Sequence, residues 1–251
     1  MISLATVTCV PECKNNGTCT SQNNCTCPSG FSGPTCEVQS TELCPENETF
    51  GKKPILLITF GNGSSQYSQA IPSRFNFSTT YKQKFEPKTY DGSFSFINSI
   101  HDDFDGHWHT NARDHTGDPG GYMFIVNADE RPGQFYNGTV NDLCIGLRYE
   151  FSVYLANLMS IGGDIKPNVR FEVRSPSLEN RLLAKLSSGE IPEEKTLTWK
   201  KYGLSFITSS STVNLLMISD APGGGGNDIG IDDIALNVCS SYKGNGFCPS
   251  N

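Results

Sequence analysis

Three features of the sequence predict an all-β protein, with a small disulfide-rich module followed by an antiparallel two-sheet sandwich of jelly-roll type. Six of the ten cysteines crowd into Cys9–Cys36. Past residue 41, short apolar runs alternate with period two, the mark of strands with one face on a core. Gly-, Pro- and Asn-rich turns separate these runs, and nothing longer than a turn shows helical periodicity.

Residues 1–8 form a leading segment too short for a signal peptide, so the chain reads as a mature product or an excised piece. Residues 9–40 are too few to bury a core, and disulfides must supply the difference. Residues 41–240 carry about ten strands. Ile55–Phe60 opens the series, and Phe94 and Phe96 alternate with Ser93 and Ser95. Tyr122–Val126 is an unbroken run of aromatic and β-branched residues, which reads as a buried strand. Phe135–Val140 follows, and Tyr149–Leu158 sets Phe151, Val153 and Leu155 on one side. Asn168–Arg174 places Val169, Phe171 and Val173 on one face and Arg170, Glu172 and Arg174 on the other. Arg181–Leu186, Thr198–Thr208, Val213–Ser219 and Ile229–Val238 complete the set. The tail, 241–251, contains Asn245-Gly246-Phe247-Cys248, an echo of Asn16-Gly17-Thr18-Cys19 and so a possible start of another cysteine-rich module.

A formal charge of −7 and no Lys/Arg cluster argue against nucleic acid and against anionic membrane surfaces. No apolar run approaches the roughly 20 residues that span a bilayer. The cysteines point to an oxidising compartment. Asn-x-Ser/Thr triplets at Asn16, Asn24, Asn47, Asn62, Asn76 and Asn137 fit a secreted or cell-surface glycoprotein.

The spacing Cys9-x3-Cys13-x5-Cys19-x5-Cys25-x-Cys27-x8-Cys36, with Asn15-Asn16-Gly17 and Cys27-Pro28-Ser29-Gly30-Phe31 inside it, resembles the EGF-like domain. The resemblance implies the pairs Cys9–Cys19, Cys13–Cys25 and Cys27–Cys36, and offers Thr18 and Ser32 as O-glycan acceptors. The acidic pair of the family's calcium-binding members is absent at Leu4–Thr8. A second set of residues is Asp102-Asp103-Phe104-Asp105, Trp108, Asp114-His115-Thr116, Gly121-Tyr122-Met123, Leu143-Cys144 and Asn227–Ile234, closing at Cys239. It resembles the MAM domain and related carbohydrate-binding-module-like jelly rolls. That resemblance implies adhesion, oligomerisation or carbohydrate binding, and the pair Cys144–Cys239. Cys44 would then join Cys248; a local Cys239–Cys248 pair is the alternative.

Four chemistries compete for the polar residues. The loop Asp114–Gly121 packs two carboxylates, a Pro and three Gly before a buried strand, and Asn227–Leu236 is built alike. Calcium takes six to eight hard oxygens, and jelly-roll relatives imply a structural ion held from Asn62, Asp114, Asp118 and Asp232 or Asp233. Because adjacent strand residues face opposite ways, one of the last two is expected to point in, and Asp233 is favoured. The four histidines fall within His101–His115, and the His107-Trp108-His109 spacing could begin a zinc site, although a His-rich loop accounts for it better. For a sugar surface, Trp108 leads, with His109 and Tyr136 beside it. Trp199, alternating with Leu197, is expected in the core. Catalysis is the weakest case: Asp102, Asp103, Asp105, Asp114 and Asp118 supply carboxylates, but no nucleophile elbow, His-Glu-x-x-His or phosphate loop accompanies them. The expected function is a calcium-stabilised, non-catalytic adhesion or recognition module for glycan or extracellular protein, with the cysteine-rich unit as spacer. A self-assembling building block of a matrix, coat or fibre, and a carbohydrate-active enzyme, are the alternatives.

Overall fold

The computed structural model describes residues 8–45 apart from 16, 22, 28–30, 33 and 40, together with 53–86, 89–102 and 104–239. Asn16, Asn47, Asp103, Cys248 and the tail therefore lie outside the described residues.

In the first module, β1 (Thr18–Ser21) pairs antiparallel with β2 (Asn24–Thr26), and β3 (Phe31–Ser32) pairs with β4 (Val38–Gln39). The disulfides are Cys9–Cys19, Cys13–Cys25 and Cys27–Cys36, as the EGF-like resemblance implied. Among the described residues of this module the buried apolar side chains are Cys9 and Cys36, so the cross-links stand in for a core.

The remaining strands are β5 (Leu56–Ile58), β6 (Phe77–Ser78), β7 (Lys82–Gln83), β8 (Ser93–Ile97), β9 (Met123–Asn127), β10 (Gln134–Val140), β11 (Arg148–Asn157), β12 (Asn168–Ser175), β13 (Arg181–Glu190), β14 (Lys200–Ile207), β15 (Val213–Ser219) and β16 (Asp228–Val238). They form two sheets: a five-stranded one, β13-β12-β15-β10-β6, and a seven-stranded one, β14-β11-β16-β9-β8-β7, in which β5 also pairs with β16. Each expected strand is present within a few residues of its expected bounds. Two details differ. The short strands β6 and β7 were not anticipated, and β7 runs parallel to β8, because a brief edge excursion returns the chain to the start of β8.

One core lies between the sheets. Val169, Phe171 and Val173 face Phe151, Val153 and Leu155 across it, with Leu215 and Met217 beside them. At one end Phe60, Phe77, Phe94, Phe96 and Phe124 meet edge-on or tilted, with Phe60 stacked on Phe96; nearly all stand outside the water. On the outer side of β12, Glu172 sits between Arg170 (2.9 Å) and Arg174 (2.7 Å), the polar face the alternation required.

The seven-stranded sheet is also buried on its outer face. Ile97, Met123, Ile125 and Leu158 form a second cluster there with Trp108 and Ala112, both from the excursion between β8 and β9. This excursion, described over residues 98–102 and 104–122, is a lid of irregular chain over the sheet. Double coverage explains why Tyr122–Val126 is apolar without alternation.

β16 is the central strand. β11 runs along one side of it; on the other, β9 covers Asp228–Ile231 and β5 covers Ile234–Leu236. Between those halves the register against β11 slips, and Asp233 takes a left-handed φ of 49°. This is a β-bulge: one extra residue resets the alternation, so Ile229, Ile231, Ile234 and Leu236 all reach the inner core.

The expected long-range disulfides are corrected. Cys44 pairs with Cys239, not with Cys248, and Cys239 is thereby closed to both Cys144 and Cys248. The reason lies on β11. The Cys44 N–H donates to Glu150 Oε2 (3.0 Å) and the Cys239 N–H to the Arg148 carbonyl (3.0 Å), so both cysteines hang from one stretch of that strand. Cys144 is itself disulfide-bonded.

Candidate functional site

The outer face of β16 presents Asp228, Gly230 and Asp232 in a row, because residues two apart share a face. Each holds part of what covers the sheet. The Trp108 indole N–H donates to Asp228 Oδ2 (3.1 Å). Trp199 lies over Gly230, where a Cβ would stand 2.9 Å from its Cη2. The His115 backbone N–H donates to Asp232 Oδ2 (2.8 Å). One strand thus fixes the lid and the segment preceding β14 with respect to each other.

Beside Asp232 is a cluster of acids. His115 Nδ1 lies 2.7 Å from Asp233 Oδ2, and its ring stacks on Tyr154 at 3.4 Å between centroids. Both aspartates therefore reach His115, contrary to the expectation that one would turn away. The bulge breaks the strict alternation on which that expectation rested. Asp114 joins them from the lid: Thr116 donates to its Oδ2 (2.7 Å), while its Oδ1 is buried without a hydrogen-bond partner. Its carboxylate rests on the bare Cα of Gly121, a place closed to any side chain. Burial, with smaller repulsion from Asp233 and Asp114, pushes the Asp232 carboxyl up to about 8, against the hydrogen bond from His115. Of the other expected metal ligands, Asn62 reaches this neighbourhood through its backbone pairing with Gly121, whereas its side chain and that of Asp118 are exposed. Among the described residues no three His, Asp or Glu ligand atoms lie within 4.8 Å of one another, so backbone carbonyls would have to complete any shell.

Next to these acids, residues 108–114 of the lid and 195–199 before β14 wall a cleft of about 630 Å³. Trp199 is half-buried here, its indole N–H donating to the Arg113 carbonyl (3.1 Å). Trp199, expected in the core, packs against the outer cluster and also lines the cleft. Trp108, expected as the contact, is 3 % exposed, stacked on Phe104 and tied to Asp228. Tyr136 is a core residue packed on Phe77, 1 % exposed, and does not line this cleft. Lid packing at Trp108 and inter-sheet packing at Tyr136 override what composition alone implies. His109 does line the cleft. Its ring is buried with Nε2 unpartnered, and burial lowers its pKa against hydrogen bonding to the Glu194 and Met159 backbone. His107 is exposed, near the Ile161 carbonyl; with the lid irregular, the two imidazoles share no strand face.

Residues 9–36 match the EGF-like domain. They are an EGF-like domain. A stretch of 38 residues, 15% of this chain, is 50% identical to protein kinase C-binding protein NELL2 of Xenopus tropicalis, of which it spans 4%. Among solved structures, the chain is similar to an apo-form cyclase from Fischerella sp. (16% identity, TM-score 0.47, 80% of this chain and 98% of that one). It is also similar to a xylan-binding domain from Paenibacillus barcinonensis (10%, 0.43, 75% and 96%). A third is TmCBM61 in complex with β-1,4-galactotriose (12%, 0.37, 69% and 98%). The EGF-like domain and its disulfides point to an extracellular or secreted setting, and no helix among the described residues is long and apolar enough to cross a membrane.

A smaller hollow of about 330 Å³ lies on the other side of Trp108, lined by Phe104, Asn127, Gly224–Gly226, Asp91 and Asp228. Asp228 is buried, and burial, then the nearby Asp91, drive its carboxyl up to about 7 against the Trp108 hydrogen bond. Asp228, Arg113 and Lys195 are not among the residues expected at a site. The signal for Asp228 was available in its period-two spacing from Gly230 and Asp232; nothing in the sequence marked the other two. Of the sequons, Asn24, Asn62 and Asn76 are exposed, and Asn137 is half-buried in β10.

Proposed function

We propose that the chain is an extracellular recognition protein whose sandwich, a MAM-like or carbohydrate-binding-module-like unit over 41–240, binds glycan in the cleft walled by Trp199. The EGF-like domain acts as spacer. The cleft itself carries this reading. It has the volume of a small-ligand site, the Trp199 indole in its wall for a sugar ring, and the exposed polar side chains of Thr110, Asn111 and Thr196 for its hydroxyls. Hydroxyl groups of a saccharide suit such a lining better than the flat face of a folded protein does.

We further propose a structural calcium ion at the acid cluster. The donors are hard oxygens, and Asp114 Oδ1 and the buried Asp232 carboxylate lack the counter-charge that a cation would supply. Asp114, Asp232 and Asp233 would hold it, with Asn62 and Asp118 at its margin. Bound there, it would neutralise the acids that join the lid to β16.

A glycan array supplies the test of recognition. Saturable binding lost in Trp199→Ala supports the proposal, and no binding, or binding indifferent to that change, overturns it. For the ion, native mass spectrometry and thermal unfolding with calcium or EGTA should show one bound ion and a higher melting temperature with calcium. A melting temperature unmoved by EGTA removes the ion from the proposal and leaves the cleft.

A further inference from the structure

We infer that the cleft takes an acidic saccharide, one bearing carboxylate or sulfate, read by Arg113 and Lys195. This rests on the cleft being a glycan site and names the class of glycan. The two cations come from the two segments that wall the cleft, the lid and the stretch before β14, and both are exposed. Other cations of the sandwich are engaged, Lys200 with Glu194, Lys201 with Glu150, Arg170 with Glu172 and Asp220, and Arg174 with Glu172, while Lys82 and Arg131 line a separate cleft. Arg113 and Lys195 form no ion pair among the described residues, in a chain whose net charge is −7 and which has acids to spare. Two uncompensated positive charges in one concavity raise the local concentration of an anion. The guanidinium offers the fork that a carboxylate or sulfate accepts.

The remaining lining divides the work. Trp199 supplies an apolar face for the ring. His109 borders the cleft as a buried ring. Asp114 also borders the cleft, but its carboxylate is turned to Thr116 and Gly121 and buried, which leaves the positive groups nearest to solvent.

The test uses the whole chain and calorimetric titration with three probes: galacturonic-acid oligosaccharides, their methyl esters, and a sulfated galactan oligosaccharide. One of the two anionic probes should bind about ten-fold or more tighter than the neutral ester at low salt, and lose that advantage as salt rises. Which anion binds separates carboxylate from sulfate recognition. Arg113→Gln with Lys195→Gln changes two exposed side chains and should reduce the anionic probe to the affinity of the neutral one, with thermal unfolding unchanged. Neutral and acidic probes bound equally, in a manner dependent on Trp199, overturn this inference and leave the glycan site standing. Failure of all three probes, with an array also negative, overturns both.

Discussion

Asp228 offers the sharpest test of the energetics of the lid. Its carboxyl is pushed from an ordinary 3.8 to about 7 by burial. The sign follows from linkage: the native state holds the proton over a range in which the unfolded chain has released it. The associated stability is fully present below about pH 4 and is lost as pH rises through about 7. Roughly three pH units correspond to about 4 kcal/mol, an upper bound on the cost of ionising this group in place. Asp228→Asn removes the charge and keeps an oxygen for the Trp108 indole. A neutral acceptor is weaker by about 1 kcal/mol, so the variant should be more stable than the parent by about 1–3 kcal/mol at pH 8.5 and within about 1 kcal/mol of it at pH 4.5. Urea unfolding at the two pH values measures this directly. Asp228→Ala is the control: it leaves the indole N–H unpaired and should be less stable than Asp228→Asn by about 1–3 kcal/mol at both pH values. Equal destabilisation by Asn at both pH values would refute the reasoning, because it would mean that folding does not displace the Asp228 pKa.

Three further outcomes follow from the same structure. Replacing Cys44 and Cys239 by Ser opens a disulfide with a sequence separation of 195, and chain entropy sets the loss at about 5 kcal/mol, read as a fall in the urea midpoint. Glu172→Gln leaves Arg170 and Arg174 facing a neutral group. Although burial opposes it, their hydrogen bonds and charges hold the Glu172 pKa below its usual 4.5, so its contribution exists above that value and disappears as pH falls. The variant should therefore lose about 1–3 kcal/mol at pH 7 and progressively less toward pH 4. Gly230→Ala puts a methyl group 2.9 Å from the Trp199 ring and should blue- or red-shift tryptophan emission and weaken glycan binding, with a smaller effect on the melting temperature.

The sandwich was legible because its signal is redundant. Val169, Phe171 and Val173 alternate with Arg170, Glu172 and Arg174, and their pairing partners repeat the pattern, so each strand confirms the next. The EGF-like disulfides were legible for another reason, since six cysteines at one spacing carry a known pairing. The long-range disulfide was not. Cys44, Cys144 and Cys239 have no local pattern, and their partnering depends on where the entering chain lands on β11, where Cys44 meets Glu150. The tryptophans failed in the same way. Trp108 has polar neighbours in sequence and Trp199 an alternating one, yet what covers each is set by a lid that has no repeating structure of its own.

The bulge joins these cases. Ile229 and Ile231 are two apart, as are Ile234 and Leu236, but Ile231 and Ile234 are three apart. An eleven-residue strand with a single period cannot bury all four, and they are all buried. One residue must therefore be inserted between the halves, and the sequence offers Asp232 and Asp233 for it. Asp tolerates the left-handed angle better than a β-branched residue would, so the slip falls on Asp233. The same slip releases both carboxylates to meet His115 and marks the point where β9 gives way to β5. Packing on the inner face thus dictates the chemistry on the outer face: the hydrophobic register that closes the core is what gathers the acids beneath the lid.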